Sequence, residues 1–455
     1  MFELNDTICA IATPAGVGGV GIVRLSGPES LSIAKRVFQN ARGMEKRREI
    51  LLGKFINPSD REVLDEGLLL IMPGPHSYTG EDVAEFHAHG SPALLSKLME
   101  VLTSLGARPA QAGEFTYRAF IHGRLDLTQA EAVEALVSAH GDAARRQALR
   151  HLTGGLAAHL EPMEESLKSL YLKIEARLEF SEDGIPPLDL PKFEKELGEV
   201  QKELERLLKS YAQGKVLREG VTVALVGPPN SGKSSLLNAI LGTNRAIVTP
   251  LAGTTRDVVE GELRLGGVKV RLFDTAGIRE AANVVEIEGI RRSHQVIEEA
   301  DIVFWLVDAS APQESLKELK TAKLPKDRTW YLFNKMDMVS TKEPWKDSGL
   351  ELSRCLGVSC QTGQGVEGVT EKIGQLIQTP VGGEDVVLTS ERHRLEVEFA
   401  LKALTNLKGL IKASEPYELW AEELKAAALA IGRIRGRNLP ESAFEDIFTK
   451  FCIGK

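Results

Sequence analysis

The chain has 455 residues, with 56 lysines and arginines against 64 aspartates and glutamates and a formal net charge of −8. At 43% hydrophobic and 26% charged residues it is a globular protein able to bury sizeable cores, and its length suits about three domains, so wholesale disorder is excluded. The acidic balance excludes a protein that grips nucleic acid through a broad basic surface alone, and any RNA contact must be local or shared with a partner.

The amino terminus carries acids at Glu3 and Asp6, where a secretory signal would be basic, and lacks a sustained apolar core. Up to about residue 118, short apolar runs (ICAIA, VGIVRLSG, GLLLIMPG, EDVAEFHAHG) alternate with Gly and Pro, and helical patterns at Pro28–Phe38 and Pro92–Leu105 make this a small α+β domain. Gly16 to Gly21 matches GxGxxG, but a strand pattern follows where the dinucleotide fingerprint needs a helix, so a loop between strands is predicted. His87 and His89 share a strand face, but no Cys or further His is spaced to finish a tetrahedral metal site.

Residues 119–217 read as long helices. Phe193, Leu197, Val200, Leu204, Leu207 and Tyr211, at alternating steps of four and three, predict one buried helix face. Over residues 218–379 the β-rich runs VTVALVG, VKVRLFD, DIVFWLVD and TWYLFNK alternate with helix-like stretches, as parallel βαβ units require. The most apolar run, Ile302 to Val307, is far shorter than the ~20 residues of a membrane helix and reads as a buried strand, so no membrane association is expected. Residues 380–455 are helical again, which predicts one helical domain built from two chain segments with the α/β module inserted into it. Cys9, Cys355, Cys360 and Cys452 form neither a disulfide framework nor a CxxC knuckle, which fits a reducing, cytoplasmic address.

The chemistry concentrates in the inserted module. Strand Val221–Val226 leads into Gly227-Pro-Pro-Asn230-Ser231-Gly232-Lys233-Ser234-Ser235 and a helix, the context in which G-x-x-x-x-G-K-S cradles phosphates. Lys233 is expected on the β/γ oxygens and Ser234 on Mg²⁺. Asp274-Thr275-Ala276-Gly277 places a carboxylate behind the metal and a backbone N–H near the γ-phosphate. Asn334-Lys335-Met-Asp337 offers a carboxylate that accepts from both N1–H and N2–H₂ of guanine, a donor pair adenine lacks, and Ser359-Cys360-Gln361 supplies a last base loop. In this order the set resembles the guanine-nucleotide motifs of translation-factor-like GTPases. Ile278 stands where Ras-like switches carry a water-orienting Gln, so some other group must act, and Glu280, Glu286 and Glu288 downstream are candidates to position water, each of them otherwise a solvated switch-loop acid.

GPPNSGKSS, IVTPLAGTTRD, DTAGIRE with VVEIEGI, NKMD and the closing FCIGK together resemble the MnmE (TrmE) family of tRNA-modification GTPases over essentially the whole chain. The resemblance implies a K⁺ held by Asn230 and by backbone oxygens at Thr249, Leu251 and Thr254, in the role of an arginine finger. It implies Thr255 in the Mg²⁺ shell and Glu286 as the water-orienting acid. The stretch Thr249-Pro250-Leu251-Ala252-Gly253-Thr254-Thr255 would close over GTP. It further implies a first domain that resembles a folate-binding fold, dimerises, and holds 5-formyl- or methylene-tetrahydrofolate through Arg24, Glu81, Arg124 and Lys455, with Cys452 nearby as a candidate nucleophile. The implied function is K⁺- and Mg²⁺-dependent GTP hydrolysis that drives addition of an aminomethyl or carboxymethylaminomethyl group at C5 of the wobble uridine (U34) of certain tRNAs. The homodimer would act with an FAD-binding partner, usually called MnmG or GidA, in a heterotetramer. The alternative is a GTP-gated ribosome or RNA assembly factor; an appended RNA-binding module would favour it, and no GXXG loop in KH-like context is found near the carboxy terminus.

Overall fold

Short β-branched runs bury an apolar face only by pairing laterally. The computed structural model describes residues 3–40, 47–139, 141–179, 186–243, 261–274, 295–377 and 386–455. Its first runs form β1 (Ile8–Ile11), β2 (Gly18–Ser26), β3 (Phe38–Gln39), β4 (Glu49–Ile56), β5 (Val63–Met72), β6 (Val83–Gly90) and β7 (Arg108–Pro109). The sheet order is β3-β4-β5-β6-β2-β1-β7, antiparallel except for the β1–β7 pair. Helices α1 (Ser30–Val37) and α2 (Pro92–Ser104) bury Ile33, Leu98 and Leu102 in one core with Leu25, Phe55 and Phe86 of the sheet. The predicted loop through Gly16–Gly21 is corrected: β2 already begins at Gly18. Gly21 lets α2 settle on the strand, since an added Cβ would lie 2.6 Å from the Leu95 side chain. His87 and His89 each bond a carboxylate, of Glu85 (3.1 Å) and Asp65 (2.9 Å).

The helices that follow are α3 (Glu114–Ile121), α4 (Leu127–Val137), α5 (Asp142–Leu152), α6 (Gly155–Glu179) and α7 (Leu190–Lys209). Asp126 and Gln129 form a reciprocal capping box that starts α4. On α7, Phe193, Leu197, Val200, Leu204 and Leu207 are buried as their spacing predicts. Tyr211 instead lies beyond a break and opens α8 (Tyr211–Glu219). The break is a tertiary effect, because the Ser210 hydroxyl donates to the Leu207 carbonyl (2.6 Å) and accepts from the Leu388 N–H (3.0 Å).

The α/β module runs β8 (Val221–Val226), α9 (Lys233–Thr243), β9 (Gly261–Leu265), β10 (Val268–Asp274), β11 (Ile302–Asp308), α10 (Pro312–Thr321), β12 (Thr329–Asn334), β13 (Cys355–Gly357) and α11 (Val366–Ile377). The sheet order is β13-β12-β11-β8-β10-β9, parallel except for the β9–β10 hairpin. Both faces are covered: Val223, Leu225, Leu272, Phe304 and Leu332 enter one core, and Ala224, Val303, Trp305, Val307 and Phe333 the other. That double burial is why the run Ile302–Val307 is apolar at every position. The last helices are α12 (Glu391–Lys412), α13 (Tyr417–Ile434) and α14 (Glu441–Phe448). α13 packs along α6, and the Glu131 carboxylate of α4 takes Arg392 (2.8 Å) and His393 (2.7 Å) of α12. Burial works against charge on Glu131, yet His393 and Arg392 hold its carboxyl well below the ordinary range.

Contacts divide the chain into two compact units: Met1–Ser138 with Ala148–Arg206 and Arg392–Lys455, and Ala139–Gln147 with Leu207–Glu391. The first holds the β1–β7 sheet and most of the helices from both flanks; the second is the inserted α/β module with a short outlying segment. That segment is seated on the module, since an added Cβ at Gly141 would lie 1.5 Å from the Gly267 carbonyl oxygen and Ala143 packs on its core. The chain is therefore multidomain, with an α+β amino-terminal part, a helical part drawn from two segments, and an inserted P-loop module.

Candidate functional site

In a parallel sheet, ligands bind beyond the carboxyl ends of the strands. There β8 runs into the loop Gly227–Gly232, and α9 begins at Lys233. The loop is tight enough that Asn230 takes a left-handed φ of 61°. Gly232, at φ 95°, has no alternative residue, because an added Cβ would lie 2.0 Å from Asn334 Nδ2.

A cavity of about 770 Å³ opens here, lined by Asn230, Gly232, Lys233, Ser234 and Ser235 of the loop and helix start, and by Asn334, Lys335, Asp337, Cys360 and Gln361 from the ends of β12 and β13. Lys233 Nζ donates to the carbonyls of Gly227 and Pro228, both at 2.9 Å, so the ammonium closes the loop on itself. An arriving phosphate must take the ammonium from those carbonyls, an exchange of neutral acceptors for a charged one. The Ser234 hydroxyl donates to Asp274 Oδ2 at 2.7 Å, which places two hard oxygen donors side by side. That donor set fits Mg²⁺, with Ser234 as ligand and the buried Asp274 behind it.

Asn334 ties three segments together. Its Nδ2 donates to the Ser231 carbonyl (2.9 Å), and its Oδ1 accepts from the Cys360 N–H (3.3 Å). Ser231 is buried, and its hydroxyl has no partner among the described residues. The Ser359 hydroxyl donates to Asp337, aligning the carboxylate that guanine would meet. Burial pushes the Cys360 thiol up to about 11, so it is neutral at physiological pH. Thr249 to Thr255, Thr275, Ala276, Gly277 and Glu286 lie outside the described residues. Of the implied K⁺ donors only Asn230 is therefore placed, and its amide oxygen is of the type that a monovalent cation takes.

The four residues assigned to folate converge in the first unit. Arg24 of β2 bonds Glu85 (2.7 Å) and the Gly454 carbonyl (3.3 Å), and its guanidinium stands over the rings of Tyr78 (5.7 Å) and Phe115 (5.5 Å). Two residues along, the Ser26 hydroxyl donates to Glu81 Oε2 at 2.6 Å. Arg124 lies beside this loop, its Cγ 3.5 Å from the position of a Cβ added at Gly80. The tail is docked here too: Gly454, at φ 90°, approaches Ile11 so closely that a Cβ would lie 2.5 Å from its carbonyl oxygen, which brings Lys455 alongside and leaves Cys452 exposed. Glu81 also accepts from Arg118 Nη1, at 3.1 Å on Oε1 and 3.2 Å on Oε2. Oε1 takes no other bond among the described residues, so acceptor capacity remains for a guanidine-like edge such as a pterin donates from.

Sequence reasoning misses Arg118, Ser26 and Asp308. Arg118 is fully buried and joins Glu81 to Asp6 (2.5 Å) and Glu114 (3.2 Å). An arginine amid the apolar residues of EFTYRAFI is the one signal that could have found it.

Comparison with known proteins covers the chain from end to end. Residues 127–452 match the family model described as the MnmE helical domain, and residues 7–124 that of the GTP-binding protein TrmE N-terminus. The tRNA modification GTPase MnmE of Thermus thermophilus is 42% identical over 100% of both chains. That of Acetivibrio thermocellus is 36% identical over 99% of each, and that of Halorhodospira halophila 41% identical over 99% of this chain and 96% of its own. With a full-length match at these identities, and the phosphate loop and guanine-type loops of its inserted module in place, the chain belongs to the MnmE family of tRNA modification GTPases.

Proposed function

We propose that the chain binds GTP in the cavity of the α/β module and hydrolyses it in the service of tRNA modification. The observation that carries this is the meeting, around one cavity, of the Lys233 loop, the Ser234–Asp274 pair and the Asn334–Asp337 base loop. Lys233 leaves the Gly227 and Pro228 carbonyls for the β/γ oxygens, and Asp337 accepts from the two guanine donors. Ser234 and Thr255 would hold Mg²⁺, which neutralises charge on the β- and γ-oxygens. Asn230, Thr249, Leu251 and Thr254 would hold K⁺, which would supply positive charge where negative charge develops in the transition state. Glu286 orients the attacking water.

The cluster of Arg24, Glu81, Arg124 and Lys455 would hold the tetrahydrofolate derivative, which supplies one carbon. The product is a carboxymethylaminomethyl or aminomethyl group on C5 of the wobble uridine. This chain's dimer works with the FAD-dependent partner in the cytoplasm; among the described residues no helix is long and apolar enough to cross a membrane.

The test is GTP turnover by the purified chain in K⁺ and in Na⁺ at equal ionic strength, with self-association followed in the same samples. Marked K⁺ stimulation that Asn230→Ala abolishes supports the reading. Equal turnover in both salts would refute the cation finger and move the assembly-factor alternative ahead. A nucleoside profile of tRNA from cells carrying Glu286→Ala or Cys452→Ser tests the modification separately, and a wobble modification level equal to wild type in both sinks it.

A further inference from the structure

Asp308 closes β11 and does not line the cavity, yet its partner does. In register it stands opposite Asn334, and the Ala309 N–H donates to the Asn334 carbonyl at 2.9 Å. The next residue, Lys335, turns the chain through a left-handed φ of 65°, a region that side chains other than glycine enter at a cost. That turn swings Lys335 Nζ onto Asp308 Oδ2 as an ion pair. The other carboxylate oxygen accepts from the Ser310 N–H (3.0 Å) and the Ser310 hydroxyl (2.6 Å), so Asp308 is itself held on both sides. Burial works against its charge, but Lys335 and Ser310 hold the carboxyl below the ordinary range, so it is ionised near neutral pH. The Lys335 ammonium is thus committed to the protein rather than to a ligand, and the residue forms a fixed part of the cavity wall between Asn334 and Asp337.

We infer that Asp308 is a positioning residue for the guanine end of the nucleotide site: through Lys335 it holds the base loop in the shape that binds, and so sets nucleotide affinity. The inference rests on the GTP reading and deepens it. A rival, purely structural role, a staple between β11 and β12, would alter stability without passing through Lys335.

The experiment uses the full chain and titrates fluorescent GDP against wild type, Asp308→Asn, Ser310→Ala, Lys335→Met and the Asp308→Asn/Lys335→Met pair. Asp308→Asn keeps the shape and the Ser310 acceptor and removes only the charge. It is expected to weaken binding about tenfold, chiefly by faster release, and to raise KM for GTP far more than it changes kcat. Ser310→Ala is expected to cost about threefold, and in the Lys335→Met background Asp308→Asn should add less than about twofold, since residues acting through one another are not additive. A Kd for Asp308→Asn within twofold of wild type, or an undiminished loss in the Lys335→Met background, overturns the inference. If Asp308→Asn does not fold, Ser310→Ala decides: affinity equal to wild type overturns the inference, and a loss that disappears in the Lys335→Met background supports it. Failure of wild type to bind GDP at all would refute the GTP reading and this inference with it; binding by wild type with an unaffected Asp308→Asn removes the inference alone.

Discussion

Replacing Arg118 by Met keeps the aliphatic stem and removes the guanidinium that three carboxylates share. The side chain is fully buried and touches Asp6, Glu81 and Glu114, of which Glu114 is fully buried as well. Removing one partner of a buried ionic cluster costs about 3–5 kcal/mol, because the charges left behind are uncompensated. Arg108 still holds Glu114 (2.5 Å) and Asp6 (2.6 Å), which argues for the low end, about 3 kcal/mol. For a unit of this size that is a fall in Tm of roughly 6–12 °C. Calorimetry of the whole chain with saturating GDP, which lifts the α/β transition away, reads the first unit's transition. The pH dependence gives a second handle. Burial opposes ionisation of Asp6, but Arg108 and Arg118 hold its carboxyl below the ordinary 3.8, so its stabilising contribution is present above that value and lost as pH falls. Arg118→Met should therefore flatten the acid limb. A Tm loss below 2 °C, with the acid limb unchanged, would show that the cluster does not hold the unit together.

Gly232→Ala places a Cβ on Asn334 in a left-handed residue; about 1–2 kcal/mol of backbone cost and about 1 kcal/mol for each displaced Asn334 bond predict a loss of GDP affinity of about 100-fold or more, read by fluorescence titration. Asp337→Asn should exchange preference from GTP toward xanthosine triphosphate, and a retained preference for GTP in competition binding would refute the base assignment. Gly454→Ala should lift the tail from Ile11, raising hydrogen exchange at residues 451–455 and at Arg24 while leaving GTP turnover unaltered. Glu131→Gln should lower stability above about pH 4.5 and leave it unaltered in strong acid, because a depressed carboxyl contributes only while ionised.

What the sequence discloses about this chain depends on how far apart the cooperating residues lie. The phosphate loop is legible because its chemistry is local: glycine conformations, a lysine and a serine within a few positions oblige one shape. The strand Ile302–Val307 and the face Phe193–Leu207 are legible because burial dictates residue type position by position. β4 escapes notice because its exposed face carries Ile50 and Leu52, which blur the period of two. The break before Tyr211 is fixed by Leu388, 178 residues away from Ser210. Arg118 meets Asp6 across 112 residues and Glu81 across 37, and Asp308 meets Lys335 across 27. No local rule selects which carboxylate an arginine or lysine will find. The residues of the phosphate and base loops are therefore readable as motifs, whereas Arg118 and Asp308 find their partners only when the fold brings distant charges together.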